Sequence, residues 1–286
     1  GETANLSPAA LERKLAAAKR NGRLPKVVIP VHLTGQSCDM EAIHALSRRY
    51  GFRIVEDASH AIGGSYRGEP VGNCHYSDIA VFSFHPVKVI TSGEGGMATT
   101  NDAELAGLMA LLRRHGITRE PELLTREPDG PWYYEQLELG YNYRLTDIHA
   151  TLGLSQMARL EAFVRRRNEI AARYDEALGG LPLRPLGRQQ DAYSAYHLYV
   201  VRLDLARLSR SHRDVIVALR DRGIGVNVHY MPIYRQPDYA RFGVNAQDFP
   251  EAERYYGETI SLPLYVDLTE DLQDEVVAAM REVLAP

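Results

Sequence analysis

Three short runs hold the residues of this sequence that could do chemistry: Glu56-Asp57-Ala58-Ser59-His60-Ala61, Ser83-Phe84-His85-Pro86-Val87-Lys88 and Gly93-Glu94-Gly95-Gly96. The first two follow apolar stretches, Phe52 to Glu56 and Ile79 to Phe84, so both are expected just past the carboxyl ends of strands. Open α/β sheets hold their ligand-binding groups there. A lysine on one strand end beside a carboxylate on a neighbouring one suits pyridoxal phosphate chemistry. The amine can form a Schiff base with the aldehyde, and the carboxylate can pair with a protonated pyridine nitrogen and keep the ring an electron sink. Lys88 must then shed its proton near neutral pH, which burial promotes. Spacing alone also permits a plainer reading, with Lys88 a solvated charge and Asp57 a helix cap.

The elements that must position these runs alternate between helix and strand from Ser7 to about Glu120, the pattern of a parallel sheet covered by helices. Ser7-Pro8 opens a helix that reaches Lys19, Val27 to Val31 reads as a buried strand, and Asp39 caps a helix closed by Gly51. A short strand through Met97 to Thr100 precedes helical spacing at Leu105, Leu108, Met109 and Leu112. Thr118 to Gln136 reads as a long loop. One long helix is expected from about Thr146, with Arg165-Arg166-Arg167 on its solvated face. Beyond Gly179-Gly180, strands at Tyr196 to Leu203 and Val226 to Tyr230 and helices at Ser211 to Arg222 and Gln273 to Leu284 make a small α+β unit. Leu181 to Asp191 is its linker candidate. The expected division is a large domain over 1–157 and a small one over 158–286.

Composition narrows the functional classes. Of 286 residues 45% are hydrophobic and 24% charged, enough for a sizeable core, and no run approaches the roughly 18 apolar residues of a membrane span. The net charge of −4 leaves no basic excess to hold nucleic acid or an anionic membrane. Cys38 and Cys74 are the only cysteines, too few for a disulfide framework or a cysteine-based zinc module, and they suit a reducing cytoplasm. The opening Gly-Glu-Thr-Ala-Asn-Leu-Ser has no charged leader, so a cytoplasmic protein is expected. His75 and His85 are ten apart on different elements, and no cluster has metal-ligand spacing. Gly93 to Gly96 matches neither a dinucleotide-binding loop nor a P-loop.

Longer wording adds a resemblance. Val28-Ile29-Pro30-Val31-His32-Leu33-Thr34-Gly35, the three runs above and Gly140-Tyr141-Asn142-Tyr143-Arg144-Leu145-Thr146-Asp147 follow in this order, and the sequence resembles the DegT/DnrJ/EryC1/StrS family of sugar aminotransferases along its whole length. Phe84 to Lys88, Val226-Asn227-Val228-His229-Tyr230-Met231-Pro232 and Tyr256 to Leu264 are most similar to its PseC branch, which aminates C4 of a UDP-linked 4-keto-6-deoxy-N-acetylhexosamine. The resemblance implies an α/β fold of the fold type I pyridoxal phosphate transferases, aspartate aminotransferase-like, with a C-terminal α+β small domain. It implies Lys88 as Schiff-base lysine and later acid–base group, and Asp57 on the pyridine nitrogen. His60, where many relatives carry Gln, falls to the ring hydroxyl and Ser83 to the cofactor phosphate. Asn142 is implied to reach the phosphate held by a neighbouring subunit, which makes a homodimer with a shared site.

His85, His229 and Tyr230 are the implied contacts of the substrate sugar or diphosphate. A lysine at position 88, where dehydrating relatives carry His, implies amination, with glutamate as donor. Plainer roles exist for several of these: Ser83 bonding backbone, Asn142 as a turn residue, His229 and Tyr230 as packing. Two other readings stand beside the first, the same reaction on another nucleotide-linked ketosugar and a non-catalytic fragment acting as a binding or dimerisation partner. The last reflects the start at Gly1. Family members begin with a further stretch of the large domain bearing a Gly-Thr/Ser-x-Ala turn, and this chain is expected to lack it.

Overall fold

The computed structural model describes residues 1–285. Helix α1 (Pro8–Arg20) starts where Ser7 accepts the Ala10 N–H at 3.3 Å, with Pro8 in the first turn. The short strand β1 (Val27–Val28) stops ahead of Pro30, which has no N–H to give a ladder. The expected strand over Val27 to Val31 is therefore shorter, and Val31 rejoins only as a bridge to Asp57. Helix α2 (Met40–Tyr50) is capped by Asp39 and ends at Gly51, whose φ of 77° is the left-handed turn that glycine takes without penalty. Strand β2 (Arg53–Asp57) follows, then the hairpin of β3 (Ser65–Tyr66) and β4 (Glu69–Pro70), then β5 (Ile79–Ser83) and β6 (Gly96–Thr99).

The main sheet has the order β1-β2-β5-β6, with β1, β2 and β5 parallel and β6 antiparallel. Its register sets Asp57 beside Val81, so the carboxyl ends of β2 and β5 lie side by side. Behind it, Leu15, Met40, Ile43 and Leu46 from the two helices close on Phe52 and Ile54. Val27, Ile29, Val31, Val81 and Met97 remain exposed.

Helix α3 (Ala103–Leu112) is followed by β7 (Ile117–Thr118) and β8 (Glu135–Gln136), which pair antiparallel inside the stretch read as a plain loop. The single long helix expected from Thr146 is two, α4 (Asp147–Met157) and α5 (Leu160–Ala177), parted at Ala158 and Arg159. The halves answer to different neighbours. α4 buries no residue, whereas α5 turns Val164, Arg167, Ile170, Ala171 and Tyr174 inward. Arg167 is thus not on a solvated face but 6% exposed.

Strands β9 (Leu183–Pro185), β10 (Ala192–Tyr193) and β11 (Tyr199–Leu203) come next, then α6 (His212–Asp221), α7 (Pro250–Glu258), β12 (Thr259–Leu262) and α8 (Glu270–Val283). The antiparallel sheet β12-β11-β9 is backed by α5, α6 and α8 around Tyr174, Tyr199, Val201, Leu219, Ile260 and Met280. The linker candidate therefore contains a strand of this sheet, and β10 joins the β3-β4 hairpin. Tyr196 takes a φ of 44°, which keeps Tyr196 to Leu198 out of the expected strand and leaves β11 to begin three residues later, at Tyr199. Val226 to Tyr230 forms no strand, only a bridge from Asn227 to Ser261. Its place in the sheet is taken by β12.

Among the described residues no helix is long and apolar enough to cross a membrane, and no group of three His, Cys, Asp or Glu is placed to hold a metal ion.

Candidate active site

Lys88 sits in the turn after β5, its own N–H on the His85 carbonyl at 3.0 Å. The buried Val89 and Ile90 anchor that turn in a cluster with Phe82, Phe84, Ala58 and Ala61. The apolar residues of the run thus pull the lysine back over the sheet edge. Burial holds its ammonium below the usual lysine range, against the opposing pull of the Asp57 carboxylate. Asp57 closes β2; one of its oxygens accepts the Ser59 N–H at 3.0 Å, and the other has no hydrogen-bond partner among the described residues.

His60 lies on the turn beyond Asp57, 6% exposed. Its Nδ1 accepts the Thr34 N–H at 3.3 Å, so in the neutral ring Nε2 carries the proton, 3.3 Å from the Tyr230 hydroxyl. Burial first, and then the charge on Lys88, push its pKa down to about 4, with Asp57 opposing. Tyr230 and His229 come from the C-terminal half, 170 residues along the chain from His60. His229 Nδ1 lies 2.7 Å from the Ser261 hydroxyl, and the Tyr255 hydroxyl donates to its carbonyl at 2.9 Å. Burial and Lys88 lower the His229 pKa, and burial with Asp57 raises that of Tyr230. The five side chains of Lys88, Asp57, His60, His229 and Tyr230 therefore share one space.

The other expected residues stand differently. Ser83 ends β5 with its Oγ accepting the His85 N–H at 3.4 Å, which leaves its hydroxyl proton free. His85 is exposed on the Lys88 turn, where its Nδ1 accepts the Val87 N–H at 3.4 Å. Asn142 lies apart. It is exposed, bridged to Arg114, and shares no hydrogen bond with the Lys88 group.

Sequence reasoning missed His197, whose ring packs on His60 with centroids 4.3 Å apart. The run Tyr196 to Leu203 looks like continuous strand, and nothing in its pattern separates His197 from the packed residues beyond it. It also missed Arg167, whose guanidinium donates to the carbonyls of Tyr196 at 3.0 Å, His197 at 3.4 Å and Leu264 at 3.2 Å. Arg167 lies inside the Arg165-Arg166-Arg167 run, whose pattern reads as a solvated face, and Thr34 inside the Val28 to Gly35 motif.

Comparison with known proteins gives the family and the fold. The profile of the DegT/DnrJ/EryC1/StrS aminotransferase family matches residues 1–281. Spore coat polysaccharide biosynthesis protein SpsC of Bacillus subtilis is 38% identical over 286 residues, which cover 99% of this chain and 71% of SpsC. Helicobacter pylori PseC, an aminotransferase involved in the biosynthesis of pseudoaminic acid, superposes with a TM-score of 0.87 at 30% identity, covering 99% of this chain and 72% of that one. Spr1654 of Streptococcus pneumoniae, solved in PMP, PLP and apo forms, gives a TM-score of 0.85 at 29% identity for the PMP form, covering 99% of this chain and 73% of that one.

Proposed function

We propose a specific reaction from one premise: the chain belongs to the DegT/DnrJ/EryC1/StrS aminotransferase family, whose members are pyridoxal phosphate-dependent and act on sugars. The reaction is transfer of an amino group, from glutamate, to C4 of a UDP-linked 4-keto-6-deoxy-N-acetylhexosamine. The observation that carries it is the half-buried Lys88 facing Asp57 across adjacent strand ends. Likeness to PseC, named for pseudoaminic acid biosynthesis, supports this sugar. The same reaction on another nucleotide-linked ketosugar is favoured by likeness to SpsC, named for spore coat polysaccharide. Turnover of UDP- against dTDP-linked ketosugars separates the two.

The residues present fit the cofactor. An amine held below its usual pKa suits an aldehyde, and the Asp57 oxygen without a partner suits a pyridine N–H. His60 would face the ring hydroxyl and Ser83 the phosphate. When bound, pyridoxal phosphate supplies an aldehyde and an electron-accepting ring on which an amino group is carried from donor to acceptor. Lys88 Nζ takes the proton from the carbon bearing the amino group and returns it on the far side of the transfer. Asp57, as an anion, keeps the pyridine nitrogen protonated. Neutral His60, oriented by the Thr34 N–H, donates from Nε2 without adding charge. His229 and Tyr230, together with His85, face the substrate.

A second copy of the chain would bring Asn142 to this site and cover the apolar α3–α4 surface. Those helices bury nothing; Ile148 and Leu154 of α4 are exposed, as are Trp132 and Tyr143 in the segment that links α3 to α4. The homodimer and the two domains, 1–157 and 158–286, are part of this reading; the break at Ala158 and Arg159 supports the boundary. A cytoplasmic setting, where nucleotide sugars and free amino acids meet, completes it.

The experiment is a visible absorption titration with pyridoxal phosphate, then borohydride reduction and peptide mapping. Label confined to Lys88, and lost in Lys88→Ala, is expected. Label scattered over surface lysines overturns the reading and leaves the non-catalytic one.

A further inference from the structure

His197 is buried at the site, and the reaction above gives it no task. It is 6% exposed, and its Nδ1 has no hydrogen-bond partner among the described residues. A buried polar atom left unpaired is costly, so native structures pair nearly all of them.

The backbone that carries this ring is held from several sides. Gly35 allows a close approach, since a Cβ there would fall 2.7 Å from Tyr196 N and 3.1 Å from His197 N. Ala195 N–H bonds the Gly35 carbonyl at 2.9 Å and Leu198 N–H the Thr34 carbonyl at 3.2 Å. Arg167 grips the carbonyls of Tyr196 and His197, and the ring itself lies on His60. A side chain so fixed, with a nitrogen left over, is placed for a ligand.

The surroundings indicate the ligand's charge. Lys88 and Arg167 bring positive charge to bear on the His197 ring. Arg167 is buried and bonds only carbonyls, with no carboxylate partner among the described residues. Among the described residues the one carboxylate acting on Lys88 is Asp57, which the proposed reaction already uses. This side of the space is rich in groups that favour negative charge and poor in acceptors.

Two reactants visit Lys88 in the reaction proposed above. The ketosugar brings a ketone and hydroxyls to the lysine and carries its charge on a distant diphosphate. The amino-acid donor brings a carboxylate on the same carbon whose proton Lys88 moves. We propose that His197 binds the amino donor, its imidazole donating a hydrogen bond to the α-carboxylate, with Arg167 as the positioning residue that holds the His197 loop. The inference rests on the aminotransferase reading.

His197→Phe keeps an aromatic ring against His60 and removes both nitrogens, whereas His197→Asn returns an N–H near the place of Nδ1. Glutarate, which has carboxylates and no amine to react, is titrated calorimetrically into the chain with and without pyridoxal phosphate, and the glutamate and ketosugar half-reactions are followed separately by rapid mixing. Glutarate binding is expected to weaken about 10- to 100-fold in His197→Phe and to recover most of that in His197→Asn, the worth of a hydrogen bond to a charged group. Only the glutamate half-reaction should slow, with pyridoxal phosphate affinity unchanged. Equal glutarate binding by His197→Phe and the wild type overturns the proposal, as does an equal loss in both half-reactions. A failed aminotransferase reading appears elsewhere, as wild-type chain whose Lys88 is not labelled. His197-dependent glutarate binding to the unloaded chain would then still uphold the carboxylate site.

Discussion

His32 and His197 are both buried histidines, one 0% and the other 6% exposed, and their surroundings treat them in opposite ways. His32 is satisfied at both nitrogens. Its Nδ1 accepts the Cys38 N–H at 3.2 Å, and its Nε2 lies 2.7 Å from the Glu56 carboxylate, which also takes the Ser77 hydroxyl. Its backbone N–H donates to the Asp57 carbonyl at 3.0 Å. His197 has a ring neighbour and a nitrogen with no partner. The first is a closed polar network that fixes the strand end bearing Asp57; the second is left open beside the His60 ring. Completed networks hold folds, and incomplete ones collect where a ligand is to arrive.

Breaking the closed network should have the largest effect. Glu56→Ala leaves His32 and Ser77 unpaired inside the protein and should cost about 3–5 kcal/mol in urea unfolding, as expected when one partner of a buried pair is removed. A loss below about 1 kcal/mol would mean that His32 is no more committed to the fold than His197.

A smaller, pH-dependent effect is expected from His60, the open network's other ring. Its pKa falls from 6.5 to about 4 in the folded chain, so the unfolded chain binds the proton more readily. Stability is then lost as pH drops from about 6.5 to 4, by on the order of 2–3 kcal/mol. His60→Gln should flatten that part of the curve, and unfolding midpoints measured across the window would show whether it does.

Removing the unpaired nitrogen should be mildly favourable. His197→Phe is expected to gain about 1 kcal/mol in the same unfolding assay, because an apolar ring needs no partner there. A clear loss would place His197 with His32 as a structural residue. The finest test concerns charge alone. Asp57 holds the Lys88 pKa up against burial, so Asp57→Asn should move the pH midpoint of Lys88 acylation by acetic anhydride downward, and an upward or absent shift would detach the two residues.

Much of this arrangement was legible from the chain. The apolar runs before Asp57 and Ser83 are strands, the caps at Ser7 and Asp39 and the stop at Gly51 are where spacing puts them, and Lys88 does face Asp57. Those features are local, or follow from parallel pairing of neighbouring strands. Legibility failed where distant segments decide. Pattern alone could not show that α5 would turn Arg167 inward while α4 buried nothing, or that β9 and β12 would flank β11 and leave Val226 to Tyr230 outside the sheet.

The sequence by itself determined the alternation of helices and strands, the strand ends that carry Asp57 and Lys88, and the wording that marks the family, since these depend on residue type and short-range periodicity. Tertiary structure alone decided which histidine is satisfied and which is not. His32 meets Glu56 and His60 meets Tyr230 only when segments 24 and 170 residues apart are folded together. Burial, the shift of a pKa and an unpaired nitrogen are properties of that surrounding, and no residue carries them in its name.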